Sequence, residues 1–504
     1  MTTFGAVDIG ANSVRLKIAR LRGRKLTVLA EDREVVRLGE AVFRTGLLDP
    51  QAMEKTVKVL RRFHRTTQKL GATQVRVVAT SSLRDARNSS AFIDWVKSAT
   101  GWTVEVISGL EEGRLIHLGV ISNTRVKGRL LLIDLGGGSC ELTVSVDRQI
   151  KDIVSLPVGA VRLTKEFLRH DPPKKKELEQ MRAFIAEELS RIVPRINRAK
   201  VQLSIATSGT AAALMESSAA QRGDTSTSVP RPALLKLAAK LAKTPLQQRL
   251  AMPGIGPRRA EIIIAGATAF SELMTELNLA SFRYLPLGLS DGLLAQMVAD
   301  YDRHTRVRKQ VDSERENSLI EVGQRYGIDR RYAQRIRKIA TQLFNRLKPV
   351  HRLPQEYLEW ISAAAMLHEI GSYINRAGRH RHAYYLIAHS EIFGYTTQQR
   401  AIVAAIARYA GQSRPRPQDR IIRILPDLDR HFTIRAIGLL RLAVALDKSR
   451  SGVLQELRVG TTPTAVKLSL VAKRGAGDLE LWAVDKERDY FRAVFGKDLG
   501  AALA

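Results

Sequence analysis

Polar and apolar positions at the start of the chain predict two strands around a tight turn. Phe4-Gly-Ala-Val-Asp-Ile9 is an apolar run and Gly10-Ala-Asn12 interrupts it. Ser13-Val-Arg-Leu-Lys-Ile18 then alternates, with Val14, Leu16 and Ile18 on one face and Arg15 and Lys17 on the other. Strand, turn, strand is not strand, loop, helix, so the glycines belong neither to a Walker loop nor to a dinucleotide fingerprint. The pattern returns in Leu131-Leu-Ile-Asp-Leu-Gly-Gly-Gly-Ser139, followed by Cys140-Glu-Leu-Thr-Val144. Aligning the copies places Asp8 on Asp134, Gly10 on Gly136 and Ser13 on Ser139. A repeat offset by a domain length implies two related α/β domains, each opening with a glycine-rich β-hairpin.

Between the copies, the spacing of Met53, Val57 and Leu60 predicts a helix over 51–70. Strands are expected over 74–80 and 104–107, with a helix from about Glu111. After the second copy, 174–199 reads as one charged helix and 203–206 as a strand; Thr207-Ser-Gly-Thr210 then leads into a helix over 211–217. Residues 221–232 and 253–257 read as loops, the second preceding a helix from Arg258. From Arg303 to Arg352 basic residues are dense, and the pattern stays helical to about Asp447. Alternation resumes over 455–504 (Val466, Leu468, Leu470), and a short helix is expected at the end. The expected domains are 1–124 and 125–304, both α/β, then an all-α domain at 305–452 and a small α+β segment at 453–504.

Composition adds a bias toward polyanions. The chain carries 81 Lys and Arg against 50 Asp and Glu, a net charge of +31. Such a field raises encounter rates with nucleic acid, anionic lipid or polyphosphate without choosing among them. The single cysteine, Cys140, excludes an intramolecular disulfide and cysteine-rich zinc sites. No apolar run approaches the ~20 residues a membrane span needs, and no basic segment with an apolar core opens the chain. A cytoplasmic protein without membrane contact is expected.

The hairpins carry the first candidate chemistry. Glycines let successive backbone N–H groups converge on a phosphate, so Gly10-Ala-Asn-Ser13 and Gly136-Gly-Gly-Ser139 could close on one phosphoryl group from two sides. Asp8 and Asp134 end the preceding strands, where a carboxylate suits a hydrated Mg²⁺. In Ile107-Ser-Gly-Leu-Glu-Glu-Gly-Arg114, Glu111 and Glu112 fall in a first helical turn, which favours the ionised form that a general base needs. Thr207-Ser-Gly-Thr210 opens a helix that can offer N–H groups to an anion, and Arg84 in Thr80-Ser-Ser-Leu-Arg84 can clamp one.

These segments, in this order and spacing, resemble the exopolyphosphatase/guanosine pentaphosphate phosphohydrolase (Ppx/GppA) family over residues 1–300. The resemblance implies an α/β fold of two actin-like (ribonuclease H-like, ASKHA) domains and Mg²⁺-dependent hydrolysis of terminal phosphate. A different divalent ion and activation by a monovalent cation are also compatible with it. It makes Glu112 the expected base, with Glu111 the alternative. Asp134 and Glu141, with Asp8, would serve the metal. Gly10, Asn12, Ser13, Arg84, Gly137, Gly138, Ser139, Ser208, Gly209 and Thr210 would hold phosphates.

Ala363-Ala-Ala-Met-Leu-His-Glu-Ile-Gly371 and His380-Arg-His-Ala-Tyr-Tyr385 are similar to the HD-like domain of longer, exopolyphosphatase-type members, followed by the α+β segment. A metal set of His351, His368, Glu369 and Asp447 is expected to be vestigial. His380, Arg381 and His382 are expected on a polyanion track. The implied substrate is inorganic polyphosphate, with guanosine pentaphosphate as the alternative. An ATP-dependent kinase on the same fold and a non-enzymatic polyanion-binding protein stay open. A homodimer is expected and nucleic acid is not an expected partner. Two features depart from the family: Leu289-Ser-Asp-Gly292 lacks an arginine usual there, and Cys140 replaces a hydroxyl residue. With no histidine nearby in sequence, Cys140 reads as a small buried residue, not a nucleophile.

Overall fold

The alternating segments become a central hairpin in each of two sheets. In the first, β1 (Thr2–Ile9) pairs antiparallel with β2 (Ser13–Arg22), and β2 with β3 (Lys25–Val35). On its other side β1 pairs parallel with β4 (Gln74–Ala79), and β4 with β5 (Val104–Val106). The order is β3-β2-β1-β4-β5. In the second sheet, β6 (Arg129–Leu135), β7 (Cys140–Val146) and β8 (Gln149–Leu156) form the meander. β9 (Leu203–Thr207) runs parallel to β6, β10 (Ser228–Pro230) takes the far edge, and β11 (Ser281–Tyr284) lies parallel to β9. Its order, β8-β7-β6-β9-β11 with β10 added, repeats the first. This duplication is the actin-like fold. β1 and β6 are nearly continuous apolar runs because they are central strands, covered on both faces.

The structure, a computed structural model, describes every residue except Met1, Arg24, Arg303, Arg474 and Gly475; Arg303, first of the basic run, therefore lies outside the described residues. The chain divides into two units, Met1–Val311 and Asp312–Ala504. The first contains both sheets. Between their strands lies a core in which Phe4, Leu130 and Leu132 meet Leu115, Ile116, Leu293 and Leu294. The last four come from the helices Gly109–Asn123 and Leu289–Tyr301. Gly292 lets their backbones touch, since a Cβ there would run into the Leu115 carbonyl.

The second unit has its own core, with Ile336, Leu343, Phe344, Ile361, Ile402 and Leu439 among its fully buried members. They come from the helices Arg330–Arg346, Tyr357–Leu367, Thr397–Arg408 and Asp427–Ala445. A three-stranded sheet follows, β12 (Leu454–Thr461), β13 (Ala465–Ala472) and β14 (Asp498–Leu503). Among the described residues, no helix is long and apolar enough to cross a membrane.

Four local expectations change. The helix over 174–199 is two, Lys175–Ser190 and Val193–Arg198, because Pro194 suits a first turn and not an interior. The loop 221–232 contains β10, an edge strand where Pro230 has no ladder bond to lose. The loop 253–257 runs into a short helix, Gly256–Arg259, before the longer helix Ile263–Glu276. The chain does not end in a helix. Gly496, with φ of 67°, terminates the helix Arg488–Phe495, and β14 then pairs parallel with β13.

Candidate active site

The two hairpins are built alike to the level of single hydrogen bonds. Gly10 N–H donates to the Ser13 carbonyl at 3.1 Å, and Gly136 N–H to the Ser139 carbonyl at 2.9 Å. The loops approach closely: a Cβ on Gly137 would lie 3.1 Å from Ala11 Cβ and 3.2 Å from the Asn12 nitrogen. A Cβ on Gly138 would collide with Ser81 and Phe43. Together the loops line a cleft of about 60 Å³ that also takes in Asp8, Glu112, Asp134, Ser208 and Gly288.

Glu112 reaches the cleft from the first turn of the helix Gly109–Asn123. Ser108 caps that helix, accepting from Glu111 N–H at 3.1 Å, and the Glu112 N–H donates to the Ser108 carbonyl at 2.9 Å. Arg84 fixes the carboxylate. Its Nη1 donates to Glu112 Oε2 and to the Ile107 carbonyl, both at 2.9 Å, and its Nη2 donates to Ser139 Oγ at 3.2 Å. One guanidinium thus ties the candidate base to the second hairpin.

Glu111 faces the other way. Its two oxygens accept from Nε and Nη2 of Arg114 at 2.8 and 2.9 Å. Arg114 is fully buried and also donates to Gln296. This fork-to-fork pair takes Glu111 out of the cleft, so the alternative base is corrected to a structural ion pair.

Oxygens of Glu112, Asp134 and Glu141 lie within 4.8 Å of one another, the group among the described residues that could share a cation. Asp8 lines the cleft but is not in this group, so the third acidic member is Glu112. In the hairpin register Asp134 faces Glu141, whereas Asp8 faces Arg15, so the repeat places two acids opposite each other in one hairpin and an acid opposite a base in the other. Thr207 Oγ1 donates to Asp134, and Ser155 Oγ to Glu141 Oε1 at 2.8 Å.

Burial and mutual repulsion push these acids up. Glu112 stands at about 7, raised by burial against the pull of Arg84 and further by Asp134 and Asp8. Asp8 is at about 6, raised by burial and lowered by Arg15. Glu141 is raised by burial and then by the Glu112 charge, and Asp134 by burial. Glu141 Oε2 is buried with no hydrogen-bond partner. An orphaned carboxylate oxygen among repelling acids fits a hard divalent cation, which would satisfy the oxygen and neutralise the group.

The anion side of the cleft is equally underused. Asn12 Nδ2 is a buried donor without a partner. Ser208 has φ of 80°, a left-handed conformation that costs a non-glycine residue about 1–3 kcal/mol. It turns the chain into the helix Ser208–Arg222, whose first N–H groups are free for an anion. Gly209 packs beneath Arg259 and Arg33, while Thr210 is buried and accepts a long bond from Arg259 at 3.5 Å. Arg15, Arg33 and Arg259 were not singled out from the sequence. Arg15 lines the cleft, Arg33 Nη2 is buried without a partner, and Arg259 is lowered by burial and by Arg33 and Arg15. In a chain with 81 Lys and Arg no local signal marks three of them. They supply positive charge near the segment that lacks the family arginine. There, Asp291 instead accepts from Gly288 N–H and pairs with Lys17 at 2.7 Å. Cys140 is fully buried, as a small packing residue should be.

In the second unit, His351, Glu369 and Asp447 of the histidine set are committed to other partners. Both ring nitrogens of His351 are engaged, by the Phe344 carbonyl and by Leu353 N–H. Asp447 accepts from Arg335, and Glu369 pairs with Arg450 and Arg379.

Paired glycine hairpins on a duplicated actin-like frame, with clustered acids and unpaired donors facing one cleft, define a hydrolase-type phosphoryl site. The model of the Ppx/GppA phosphatase family matches residues 17–301, and that of Ppx/GppA phosphatase domain III matches residues 315–486. The chain belongs to the Ppx/GppA phosphatase family. Among solved structures, it is similar to the Aquifex aeolicus family member at 27% identity, with 60% of this chain and 99% of that one covered and a TM-score of 0.51. It is also similar to an exopolyphosphatase from Cytophaga hutchinsonii at 25% identity, with 59% and 97% covered and a TM-score of 0.55.

Proposed function

We propose that the chain is an exopolyphosphatase, releasing terminal phosphate from inorganic polyphosphate with Glu112 as general base. The carrying observation is Glu112 itself: a carboxylate held by Arg84, standing near 7, in the cleft shared by both hairpins. A base is most useful when its pKa lies near the working pH.

Hydrolysis of a phosphoanhydride is chiefly positioning and charge neutralisation. In this reading the terminal phosphate lies between the loops Gly10–Ser13 and Gly136–Ser139, with Asn12 Nδ2 and the N–H groups after Ser208 donating to its oxygens. Glu112 accepts the proton of the attacking water, and Arg84 keeps the carboxylate aligned with Ser139. Arg15, Arg33 and Arg259 stabilise the charge of the departing chain. Asp134 and Glu141 would hold Mg²⁺, which when bound supplies charge neutralisation at the phosphate oxygens.

Polyphosphate is favoured over guanosine pentaphosphate by the net charge of +31, by the match to the domain III model, and by the name of the C. hutchinsonii relative. The test supplies long polyphosphate and guanosine pentaphosphate separately, with and without Mg²⁺, and measures phosphate release. Mg²⁺-dependent release from polyphosphate is expected, and Glu112→Gln should lower it by about 10²–10⁴ with folding intact. Near-normal release by that variant sinks the base assignment. Release from the nucleotide alone moves the chain to the sister activity, and ADP formation with an acceptor would make it a kinase.

A further inference from the structure

A cavity of about 760 Å³ in the second unit has a composition unlike a structural void. Its wall includes Arg376, Arg381, Arg408, Arg414, Lys448 and Lys486. Among the described residues, none of these six is in an ion pair. The two carboxylates in the wall are already committed, Glu369 to Arg450 and Arg379, and Glu487 to Arg441. Six uncompensated cations around one concavity repel one another, and that cost is recovered only when a multivalent anion enters.

Two further wall groups narrow the ligand. Trp482 is 53% exposed and lines the cavity, with Lys486 Nζ 5.8 Å from its ring centroid. An inorganic anion has no use for an exposed indole, whereas a planar ring stacks on it. His368 is 1% exposed and also lines the cavity. Its Nδ1 lies 2.9 Å from the Ala365 carbonyl, which can only accept, so Nδ1 carries the hydrogen. Burial holds this ring below its ordinary pKa and therefore neutral. Nε2 is then a buried acceptor, and it has no partner. A fully ionised phosphate chain offers it no donor; a sugar hydroxyl or a ring amine does.

We propose that this cavity is a second ligand site, separate from the hydrolytic cleft and specific for a nucleoside polyphosphate. The phosphates meet the unpaired arginines and lysines, the base stacks on Trp482, and a hydroxyl or amino group donates to His368 Nε2. The volume suits such a ligand, since small-molecule sites run about 300–1,000 Å³. His380 and Arg381 of the expected polyanion track border this cavity, and His382 does not. The proposal does not depend on which substrate the cleft hydrolyses.

The test is calorimetric titration of the full chain with GTP, ATP and inorganic tripolyphosphate, without added metal. Indole emission is recorded in parallel. The variants are Trp482→Ala, Trp482→Phe, the double variant Arg381→Ala with Arg408→Ala, and Arg84→Ala in the cleft. A nucleotide is expected to bind and to quench Trp482. Trp482→Ala should weaken it about tenfold, Trp482→Phe should restore most of the loss, and the double variant should weaken it at least as much. Nucleotide binding that survives Arg84→Ala supports a site apart from the cleft. Binding abolished by Arg84→Ala and untouched by the other variants overturns the proposal. Tripolyphosphate binding as tight as nucleotide, with Trp482→Ala silent, also overturns it, because the cavity then serves the inorganic chain. Circular dichroism of each variant separates lost binding from lost fold. Trp482 and Arg381 are both exposed, so their replacement leaves the core untouched.

Discussion

At the level of single residues, the Arg84–Glu112 contact makes a prediction that a purely structural ion pair would not. Glu112 lies near 7 because burial and the neighbouring acids outweigh Arg84. A base must be deprotonated, so kcat/KM should fall as pH drops, along an acidic limb no higher than about 7. Removing the cation in Arg84→Ala takes away the influence that favours the charged carboxylate, and the limb should move to higher pH. Arg84→Lys keeps a charge and should restore part of the position. A pH–rate profile of the three proteins decides it, and a limb that stays put in Arg84→Ala would remove Arg84 from the tuning of the base. The sequence announced Asp8, Asp134 and the glycines because the repeat made them conspicuous, and Glu112 through its place in a first helical turn and the family resemblance. It could not announce that Glu111 turns toward Arg114, since neighbouring glutamates on a helix differ by a rotation of about 100° and only the packing decides which one faces the cleft. Arg33 and Arg259 reach the site from distant segments, by tertiary contact alone.

At the level of elements, the helix Gly109–Asn123 carries the base at one end and an acid-sensitive group in its middle. His117 is fully buried, and neither ring nitrogen has a partner. Burial, then Arg114 and Arg148, lower it to about 3 from the ordinary histidine value of 6.5. The folded state therefore binds fewer protons than the unfolded chain between those values. Stability contributed by the neutral ring is complete above about 6.5 and is lost as pH falls toward 3, by up to a few kcal/mol. Thermal unfolding between pH 7 and 4.5 should show a steeper loss of Tm in the native protein than in His117→Leu. Equal slopes would mean that the ring escapes burial before it is protonated.

Strand and helix existence was legible from periodicity along most of the chain, while ends were not. Pro194 splits a charged pattern that looks continuous, because a first-turn proline and an interior proline look alike until the break is seen. β14, in Asp498-Leu-Gly-Ala-Ala-Leu503, has small residues of little strand preference, and its pairing is imposed by β13 beside it.

For the whole molecule, the duplicated fold was readable from one motif occurring twice, and the remaining question is what the charge does. A net +31 on 504 residues exceeds what a cleft for one phosphate needs. If the charge gathers a polyanion, its effect belongs to encounter and retention and not to the chemical step. Those terms are screened over a Debye length of about 10 Å at 0.1 M salt. Raising tetramethylammonium chloride from about 50 to 200 mM should then raise KM for long polyphosphate about tenfold or more, with kcat little changed. A bulky cation keeps screening separate from any activation by a smaller monovalent ion. Tripolyphosphate, which spans little beyond the cleft, should show a much shallower response. Steady-state kinetics on the two substrates at matched Mg²⁺ make the comparison. Parallel slopes would confine the useful charge to the cleft, to Arg15, Arg33 and Arg259, and leave most of the basic surface without a part in polyphosphate capture.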